Sequence, residues 1–338
     1  MDILVIGGSV FVGRALAETA LARGHSVTTF NRGRTGTDVP GTENVRGDRT
    51  DKDDLARLAE GRTWDAVVDV CGFSPRVVGD AVRALDGHAD TYAFISSISA
   101  YPDWPGARVD ENSPRFPCPP DAEAGDGSYG ALKAGCERAV ETGFGGRVLV
   151  VQPGLILGPH ENVGRLPWWL RRMAASGRVL APGAPDRPMQ VIDVRDLAAF
   201  VLDAVEAGKT GRYLAGGTPD NTTVGEFLGA CVQAAGSDAE LVWVDDQFLL
   251  DHDVAPWTEL PLWAPLTDDL AGVWLSDSAK AAAEGMTCRP VPETVADTWA
   301  WYEAAGLPAE LPSYATHAGS QGIDPDKERR ILAAWDAR

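Results

Sequence analysis

A phenol and an ammonium stand four residues apart in this chain, at Tyr129 and Lys133. Residues four apart lie on the same face of a helix. A tyrosine ordinarily titrates at about pH 10, too high for a base at neutral pH, but a fixed neighbouring cation favours the phenolate. Such a pair can exchange a proton with a substrate hydroxyl or carbonyl. The alternative is an exposed pair without a chemical role.

Serines gather directly after a short apolar run, Tyr92–Ile95, that is typical of a buried strand. The carboxyl ends of strands are where an open α/β sheet binds its ligands. The hydroxyl of Ser97 could hydrogen-bond a reacting oxygen there and orient it toward the phenol. Serines at strand ends are also common as turn or cap residues, and this second interpretation stays open.

A glycine-rich turn separates the first apolar run from a helical pattern. At this position a dinucleotide pyrophosphate binds the amides of a helix N-terminus, and glycines keep Cβ atoms out of its way. Val10 stands where the usual fingerprint has its middle glycine, so the position of the turn in the chain carries the prediction of a cofactor site. The alternative is an ordinary tight turn. The residues predicted to contact the cofactor here are Gly7, Ser9, Val10, Phe11, Val12 and Gly13.

The residues after the second predicted strand distinguish between the two nicotinamide cofactors. An Asp or Glu at this point would hydrogen-bond the ribose 2′-hydroxyl of NAD. This chain has Asn31, Arg32 and Arg34 instead, a neutral group and two cations that suit a 2′-phosphate. We therefore expect NADP(H) to be favoured over NAD(H). The alternative is a solvated basic loop.

Short apolar runs alternate with amphipathic stretches, the pattern of βαβ units in a parallel sheet. We expect an α/β fold: a doubly wound parallel Rossmann sheet with a smaller, mostly C-terminal substrate lobe. A capping box at Thr223–Glu226 and the pair Asp324-Pro325 predict two helix starts near the end of the chain. The predicted strands are Ile3–Ile6, Ser26–Phe30, Ala66–Val70, Tyr92–Ile95, Val148–Val151, Val191–Val194 and Arg212–Leu214, and predicted helices include Arg76–Leu85, Tyr129–Glu141 and Asp196–Val205.

Proline and glycine become frequent after Gln152, where the regular alternation ends. We predict a dinucleotide-binding domain over residues 1–157, to which residues 189–215 return. Residues 158–188 and 216–338 are predicted to form the substrate lobe and the C-terminal helices.

Composition limits the partners of the chain. Its 338 residues include 30 Lys and Arg against 49 Asp and Glu, a net charge of −19. So acidic a chain repels phosphate backbones and anionic lipid, which disfavours nucleic acid and membrane surfaces and leaves a small-molecule substrate. Five scattered cysteines suit a reducing compartment, so we expect a cytoplasmic protein. No metal site is predicted, and a homodimer is the default oligomer.

Together these motifs resemble an extended, atypical short-chain dehydrogenase/reductase of the NAD-dependent epimerase/dehydratase family, over nearly the full length of the chain. The matching motifs are Gly7-Gly8-x-x-Phe11-x-Gly13, Gly47-Asp48-Arg49, Ser96-Ser97-x-x-x-Tyr101, Tyr129-x-x-x-Lys133, Pro153 with Gly158-Pro159, and the run from Val191 to Ala198. The resemblance implies that Tyr129 acts as acid and base, that Lys133 binds the nicotinamide ribose, and that Ser97 binds the substrate oxygen.

Further contacts follow from the resemblance alone. The residues that it places beside the cofactor are Asp48 (at the adenine), Arg49, Cys71, Gly72, Ser96, Tyr129, Lys133, Pro153 and Leu155. The residues that it places at the substrate are Ser99, Trp168, Arg187 and Gln190. For the tryptophan and the arginine, the alternatives are a core side chain and a solvated one.

The resemblance implies an NAD(P)-dependent oxidoreductase or epimerase that transfers hydride at a secondary alcohol or ketone of a small molecule, sugar-like or a secondary metabolite. Ile98 and Ser99 stand where a dehydratase of the family has its acid and base, which disfavours dehydration. Val10, Asn31 and Gln152 depart from the common pattern toward a branch in which some members have lost catalysis. The alternative function is therefore a non-catalytic dinucleotide-sensing or RNA-associated protein on the same fold.

Overall fold

The computed structural model describes residues 1–34, 37–306 and 322–338. Its strands are β1 (Asp2–Ile6), β2 (Ser26–Asn31), β3 (Glu43–Arg46), β4 (Trp64–Asp69), β5 (Ala89–Ile95), β6 (Arg147–Pro153), β7 (Ile156–Leu157), β8 (Arg178–Pro182), β9 (Pro188–Met189), β10 (Ile192–Asp193), β11 (Gly211–Ala215), β12 (Thr222–Thr223) and β13 (Glu240–Val244). Its helices are α1 (Phe11–Ala22), α2 (Lys52–Ala59), α3 (Pro75–Leu85), α4 (Tyr129–Gly143), α5 (Arg165–Ala174), α6 (Val194–Glu206), α7 (Val224–Ala234), α8 (Asp246–Asp251), α9 (Ala279–Ala283), α10 (Val291–Ala304) and α11 (Pro325–Asp336). Within these described ranges, no helix combines the length and the apolar character that crossing a membrane requires.

Seven parallel strands form the central sheet, in the order β3-β2-β1-β4-β5-β6-β11. Because β1 lies between β2 and β4, the direction of winding reverses beside the first strand. The crevice at the carboxyl ends of such a strand pair is where open α/β sheets bind ligands. The predicted doubly wound Rossmann fold is confirmed.

The alternation of side chains along β1 joins the sheet to two hydrophobic cores. Ile3 and Val5 are buried on one face, in a cluster that includes residues of α1 and α6. Leu4 and Ile6 are buried on the other face, with residues of α2, α3 and α4. A central strand covered on both faces must be apolar throughout, which is why it is visible in the sequence as an uninterrupted run.

Six strands have no counterpart among the predicted ones, namely β3, β7, β8, β9, β12 and β13, and one predicted strand is shorter than expected. β3 has no counterpart among the predicted strands because it lies at the sheet edge and only Val45 among its four residues is apolar. The strand predicted over Val191–Val194 is shorter, since only Ile192 and Asp193 pair with β7. The Asp193 carboxylate accepts a hydrogen bond from the backbone amide of Arg195 at 2.8 Å and so starts α6 at Val194.

A separate hydrophobic cluster lies outside the layers of the central sheet. It contains residues of α5, α7 and α10 and of the paired strands β8 and β13, with Trp169 and Phe227 fully buried. The predicted capping box opens α7, and Asp324 caps α11, so both predicted helix starts are confirmed. The domain boundaries remain a prediction.

Candidate active site

Two glycines leave β1 in a conformation that other residues rarely adopt. Gly7 and Gly8 have φ angles of 115° and 90°. A Cβ atom at Gly7 would lie 2.7 Å from a methyl group of Val70, and one at Gly8 would lie 2.7 Å from the methyl group of Thr29. Both the backbone conformation and the available space therefore require glycine at these positions.

The N-terminus of α1 follows this turn at the carboxyl edge of the sheet. Val10 precedes the helix and offers its amides no side-chain acceptor. The amides and the helix dipole favour an anion at this end. A Cβ atom at Gly13 would lie 2.7 Å from the backbone nitrogen of Gly8, so the helix packs closely against the turn. An uncapped helix start beside a cradle that Cβ atoms would fill fits a dinucleotide pyrophosphate.

Val10 is accommodated because the turn needs no glycine at its position. Its φ and ψ angles are −133° and 137°, an extended conformation open to any residue. Its side chain packs with that of Val12 against the buried cluster that α1 shares with α6, where Phe11 is also buried. The departure from the usual fingerprint thus leaves the turn intact.

Lys133 places a fixed cation at the carboxyl edge of the central strands. Its side chain is 3% exposed. The Nζ atom donates hydrogen bonds to the carbonyl oxygens of Gly72, at 3.0 Å, and Ile95, at 2.7 Å. It also lies 4.5 Å from the centre of the Phe94 ring. The ammonium is therefore held between the ends of β4 and β5.

Tyr129 begins α4, one helical turn before Lys133. Ser128 caps the helix by accepting a hydrogen bond from the amide of Ala131 at 3.3 Å. The tyrosine is 45% exposed, and its ring centre lies 6.5 Å from that of Phe73. The phenol thus stands at an open surface while its lysine partner is buried beneath it.

The predicted substrate serine meets the start of α4 through a short 3₁₀ turn. Ser97 follows β5, and its Oγ atom accepts a hydrogen bond from the amide of Ser99 at 3.1 Å. Ser97 therefore does cap a turn, and its own hydroxyl proton is still available to a ligand. A Cβ atom at Gly130 would lie 1.9 Å from the carbonyl oxygen of Ser99. This close contact brings the serine turn beside Tyr129.

A buried polar network lies behind the serines, and sequence reasoning missed it. The carboxylate of Glu137 accepts hydrogen bonds from the Ser96 hydroxyl, from Arg115 at 2.7 Å and from the Gln152 amide at 2.9 Å. The Tyr101 hydroxyl donates to Gln152 at 2.6 Å. Because the buried carboxylate needs these donors, the side chain of Ser96 is directed into the protein and not toward the predicted cofactor. The available signal was spacing, since Glu137 stands one helical turn beyond Lys133.

Arg49, predicted beside the cofactor, forms a buried ion pair. Its guanidinium makes paired hydrogen bonds of 2.7 and 2.8 Å to the buried carboxylate of Asp69, which accepts a third from the Tyr92 hydroxyl at 2.8 Å. Burial alone would raise the pKa of Asp69, but the charge and hydrogen bonds of Arg49 outweigh it and hold that pKa below its usual value. The guanidinium of Arg49 is thus engaged within the core, and its contact with a cofactor stays a prediction.

Cys71 and Asp48, both predicted beside the cofactor, have their polar groups engaged by neighbouring residues. The Cys71 thiol donates to the carbonyl oxygen of Ile6 at 3.3 Å, and burial raises its pKa, so it is a protonated thiol beside the glycine turn. The Asp48 carboxylate accepts from the amide and hydroxyl of Thr50 at 3.0 and 2.8 Å. These hydrogen bonds lower the pKa of Asp48.

Pro153 and Leu155 border the sheet on the side of the separate hydrophobic cluster. Pro153 is the last residue of β6, and Leu155 packs partly buried against that cluster. A Cβ atom at Gly154 would lie 2.9 Å from the Cα atom of Gly216. The ends of β6 and β11 therefore touch at this border.

Three of the four residues predicted at the substrate have structural roles. Trp168 is buried in the separate cluster. Arg187 pairs with Asp246 through hydrogen bonds of 3.1 and 2.7 Å. The buried Gln190 donates to the carbonyl oxygens of Gly217 and Ser276 and accepts from Ser276. The polar groups of Gln190 are thus satisfied within the protein, whereas the Nε atom of Arg187 is buried without a hydrogen-bond partner. Contact of these residues with a substrate stays a prediction, as it does for Ser99 beside Tyr129.

Arg46, at the end of β3, is a further cation beside the basic loop after β2, and sequence reasoning missed it. Asn31 donates to the carbonyl oxygen of Gly7 at 3.0 Å and accepts from Arg46 at 2.5 Å. Arg46 is adjacent because β2 and β3 pair with Asn31 opposite Arg46. Arg32 and Arg34 are exposed beside them. Because β3 lacks a run of apolar residues, neither the strand nor its register with β2 could be predicted from the sequence. The position of Arg46 opposite Asn31 depends on that register.

Known proteins resemble the chain in sequence. Residues 3–86 match the model of the NAD dependent epimerase/dehydratase family. The epimerase family protein SDR39U1 of Bos taurus is 27% identical over 262 residues, which are 71% of this chain and 82% of that protein. The chloroplast stem-loop binding protein of 41 kDa b of Arabidopsis thaliana is 24% identical over 251 residues. That match covers 69% of this chain but only 63% of the relative, so the chain spans less than two thirds of its length.

Solved structures resemble the chain in fold. The Bordetella bronchiseptica enzyme WbmH, in complex with NAD+, superposes with a TM-score of 0.68 at 20% identity, covering 90% of this chain and 99% of that one. UDP-glucose 4-epimerase of Thermus thermophilus, in complex with NAD, gives a TM-score of 0.62 at 21% identity and covers 90% and 100%. The resemblance predicted from the motifs is confirmed: residues 3–86 match the model of the NAD dependent epimerase/dehydratase family, and the chain shares its fold with these two solved structures over 90% of its length.

Proposed function

We propose that the chain is an NAD(P)-dependent oxidoreductase or epimerase that acts on a secondary alcohol or ketone of a small, sugar-like molecule or secondary metabolite. The observation that carries the proposal is the buried ammonium of Lys133, fixed by two carbonyl oxygens one helical turn behind the exposed Tyr129 phenol. Lysine is almost never fully buried unless it has specific partners. The burial of Lys133 therefore favours a specific role over an exposed pair without a chemical role.

The cofactor would be held by the glycine turn and the start of α1, which fit a pyrophosphate. When bound, the nicotinamide supplies or accepts a hydride. Lys133 donates two of its three N–H groups to Gly72 and Ile95, so the third is available for a ribose hydroxyl. NADP(H) is the favoured cofactor because the end of β2 presents Asn31 with Arg32 and Arg34 where NAD-specific folds place an acid.

Ser97 and Tyr129 would have different roles at the reacting oxygen of the substrate. Ser97 would donate a hydrogen bond from its hydroxyl group to the reacting oxygen and so orient it. Tyr129 would exchange a proton with that oxygen. Because the phenol is exposed, it can then regain or release that proton by exchange with solvent. Ile98, buried beside Ser97, has no acid to offer, so reduction or epimerisation is favoured over dehydration.

The test is turnover by Tyr129→Phe. A panel of ketones and sugar nucleotides would be screened with NADPH, with reduction followed by cofactor absorbance and epimerisation by product analysis. Tyr129→Phe should lower kcat about 100-fold or more while leaving the Kd of NADPH within about twofold. Tyr213→Phe is the matched control, because this tyrosine also lies against a lysine, with Lys280 Nζ 4.0 Å from its ring centre. Unchanged turnover in Tyr129→Phe would remove the catalytic proposal.

Association with RNA is the second candidate, favoured by the likeness to a stem-loop binding protein. The net charge of −19 opposes it, because contacts to phosphates depend on clustered cations. Stem-loop RNA should not be retained at physiological salt. Salt-resistant retention by the parent and by Tyr129→Phe alike would favour the RNA function over the enzymatic one.

A further inference from the structure

The guanidinium of Arg46 is anchored at the edge of the sheet where β2 and β3 end together. Its Nη1 atom donates to the Oδ1 atom of Asn31 at 2.5 Å, and its Nη2 atom donates to the carboxylate of Asp38. A Cβ atom at Gly33 would lie 3.0 Å from Nε of Arg46, so the loop after β2 packs on the same side chain. These contacts fix the plane of the cation.

Asn31 connects this cation to the predicted pyrophosphate turn. Its Nδ2 atom donates to the carbonyl oxygen of Gly7 at 3.0 Å, and its Oδ1 atom accepts from the amide of Gly33 at 2.8 Å as well as from Arg46. The carboxamide predicted to touch the cofactor is thus used within the protein. It positions Arg46 relative to the turn.

Arg46 also remains accessible to a ligand. It is 46% exposed, and two of its five N–H groups make the hydrogen bonds above. Arg32 is comparably exposed at 51%, but its contact, with Asp48, is a loose one of 3.8 Å. Binding to an anchored guanidinium costs less side-chain entropy than binding to a free one, which favours Arg46 over Arg32 as the ligand of an anion that displaces Asp38.

We propose that Arg46 is the residue that selects NADP(H), by binding the 2′-phosphate of its adenosine ribose in competition with Asp38. A planar guanidinium suits a phosphate because it can donate two parallel hydrogen bonds. The Asp38 carboxylate shows that this edge of Arg46 accepts an anion. The inference rests on the proposed nicotinamide function, since the end of β2 is where a dinucleotide ribose lies in such folds.

The experiment compares pairs of ligands that differ by the 2′-phosphate. Binding of 2′,5′-ADP and AMP, and of NADPH and NADH, would be titrated by calorimetry against the full chain. Arg46→Ala should weaken 2′,5′-ADP and NADPH about tenfold or more and change AMP and NADH less than about twofold. Arg46→Lys, which keeps the charge but not the planar fork, should fall between. Asp38→Asn should strengthen binding of 2′,5′-ADP and leave AMP unchanged.

Arg62→Ala is the matched control. Arg62 pairs with Glu43, the residue at the opposite end of β3, at 2.7 Å. Its loss removes one positive charge beside the same strand pair and should not alter the ratio of 2′,5′-ADP to AMP affinities.

The outcomes separate this inference from the proposed function. If the parent prefers 2′,5′-ADP and Arg46→Ala keeps that preference, or loses both nucleotides equally, the assignment of Arg46 is wrong while the nicotinamide function stands. If the parent binds NADH as tightly as NADPH, the assignment and the NADP(H) preference both fail. If the parent binds no nicotinamide cofactor, the proposed function itself fails.

Discussion

Asp69 shows how one buried charge can hold the residues behind the glycine turn in place. It is fully buried at the end of β4, where Arg49, Tyr92 and the amide of Cys71 all donate to it. A carboxylate in this position is stable only while its cation is present. The same pair fixes Cys71 beside Gly7, so the ion pair and the glycine turn are parts of one structure.

Replacing Asp69 should therefore destabilise the fold. In Asp69→Asn the buried guanidinium of Arg49 loses its counterion, and the free energy of unfolding should fall by about 3–5 kcal/mol. Urea denaturation at neutral pH measures the change. Asp90→Asn is the control, because its pair with Arg147 is exposed and 3.8 Å long; it should change stability by less than about 1 kcal/mol. Equal losses in both variants would contradict the argument.

At the level of elements, the contact between α4 and the serine turn decides where the tyrosine stands. Gly130 follows Tyr129 directly, and no side chain fits between it and the carbonyl oxygen of Ser99. A methyl group here must push the first turn of α4 away from the end of β5. The buried Lys133, one turn further on, is anchored to the sheet by its two carbonyl contacts and resists that shift.

Gly130→Ala should accordingly impair catalysis more than folding. We expect kcat to fall at least about tenfold, since a misplacement of about 1 Å can cost 100-fold, with a smaller change in NADPH affinity. Gly229→Ala is the matched control: this glycine lies in α7, and an added Cβ would meet nothing within 4 Å. It should leave kcat unchanged and, as alanine favours helices, raise stability slightly. Normal turnover by Gly130→Ala would show that the contact does not position Tyr129.

Elements with a strong local signal were predictable, and those defined by distant partners were not. The apolar run of β1, the glycine turn and the Tyr129–Lys133 spacing are each visible within a short stretch of sequence. The structure brings these separate stretches to one edge of the sheet. Edge strand β3 lacks such a run, so the position of Arg46 depends on its pairing with β2. The directions of Ser96 and Arg49 are set by Glu137 and Asp69, which lie 41 and 20 residues away. Local patterns contain no information about such partners.

For the whole molecule, we expect the contact between α10 and the segment after β7 to weaken in acid. His160 lies in this segment, with its ring centre 4.8 Å from that of Trp301 in α10. Burial, with a smaller effect from the charge of Arg14, lowers the pKa of His160 to about 4. The folded state thus holds the imidazole neutral at a pH where an unfolded chain already binds the proton.

The sign of the pH dependence follows from this difference. The stabilising contribution is present in full above about pH 6.5, the ordinary pKa of histidine, and is lost as the pH falls from there to about 4. His160→Asn should flatten the fall of melting temperature over this range, and asparagine tolerates the positive φ of 66° at this position. Thermal melts of parent and variant would be measured at half-unit steps from pH 7 to 4.5. The two curves of melting temperature against pH should converge toward acid. Parallel curves would mean that this contact does not sense pH through His160, and that carboxylates alone set the acid limit of the fold.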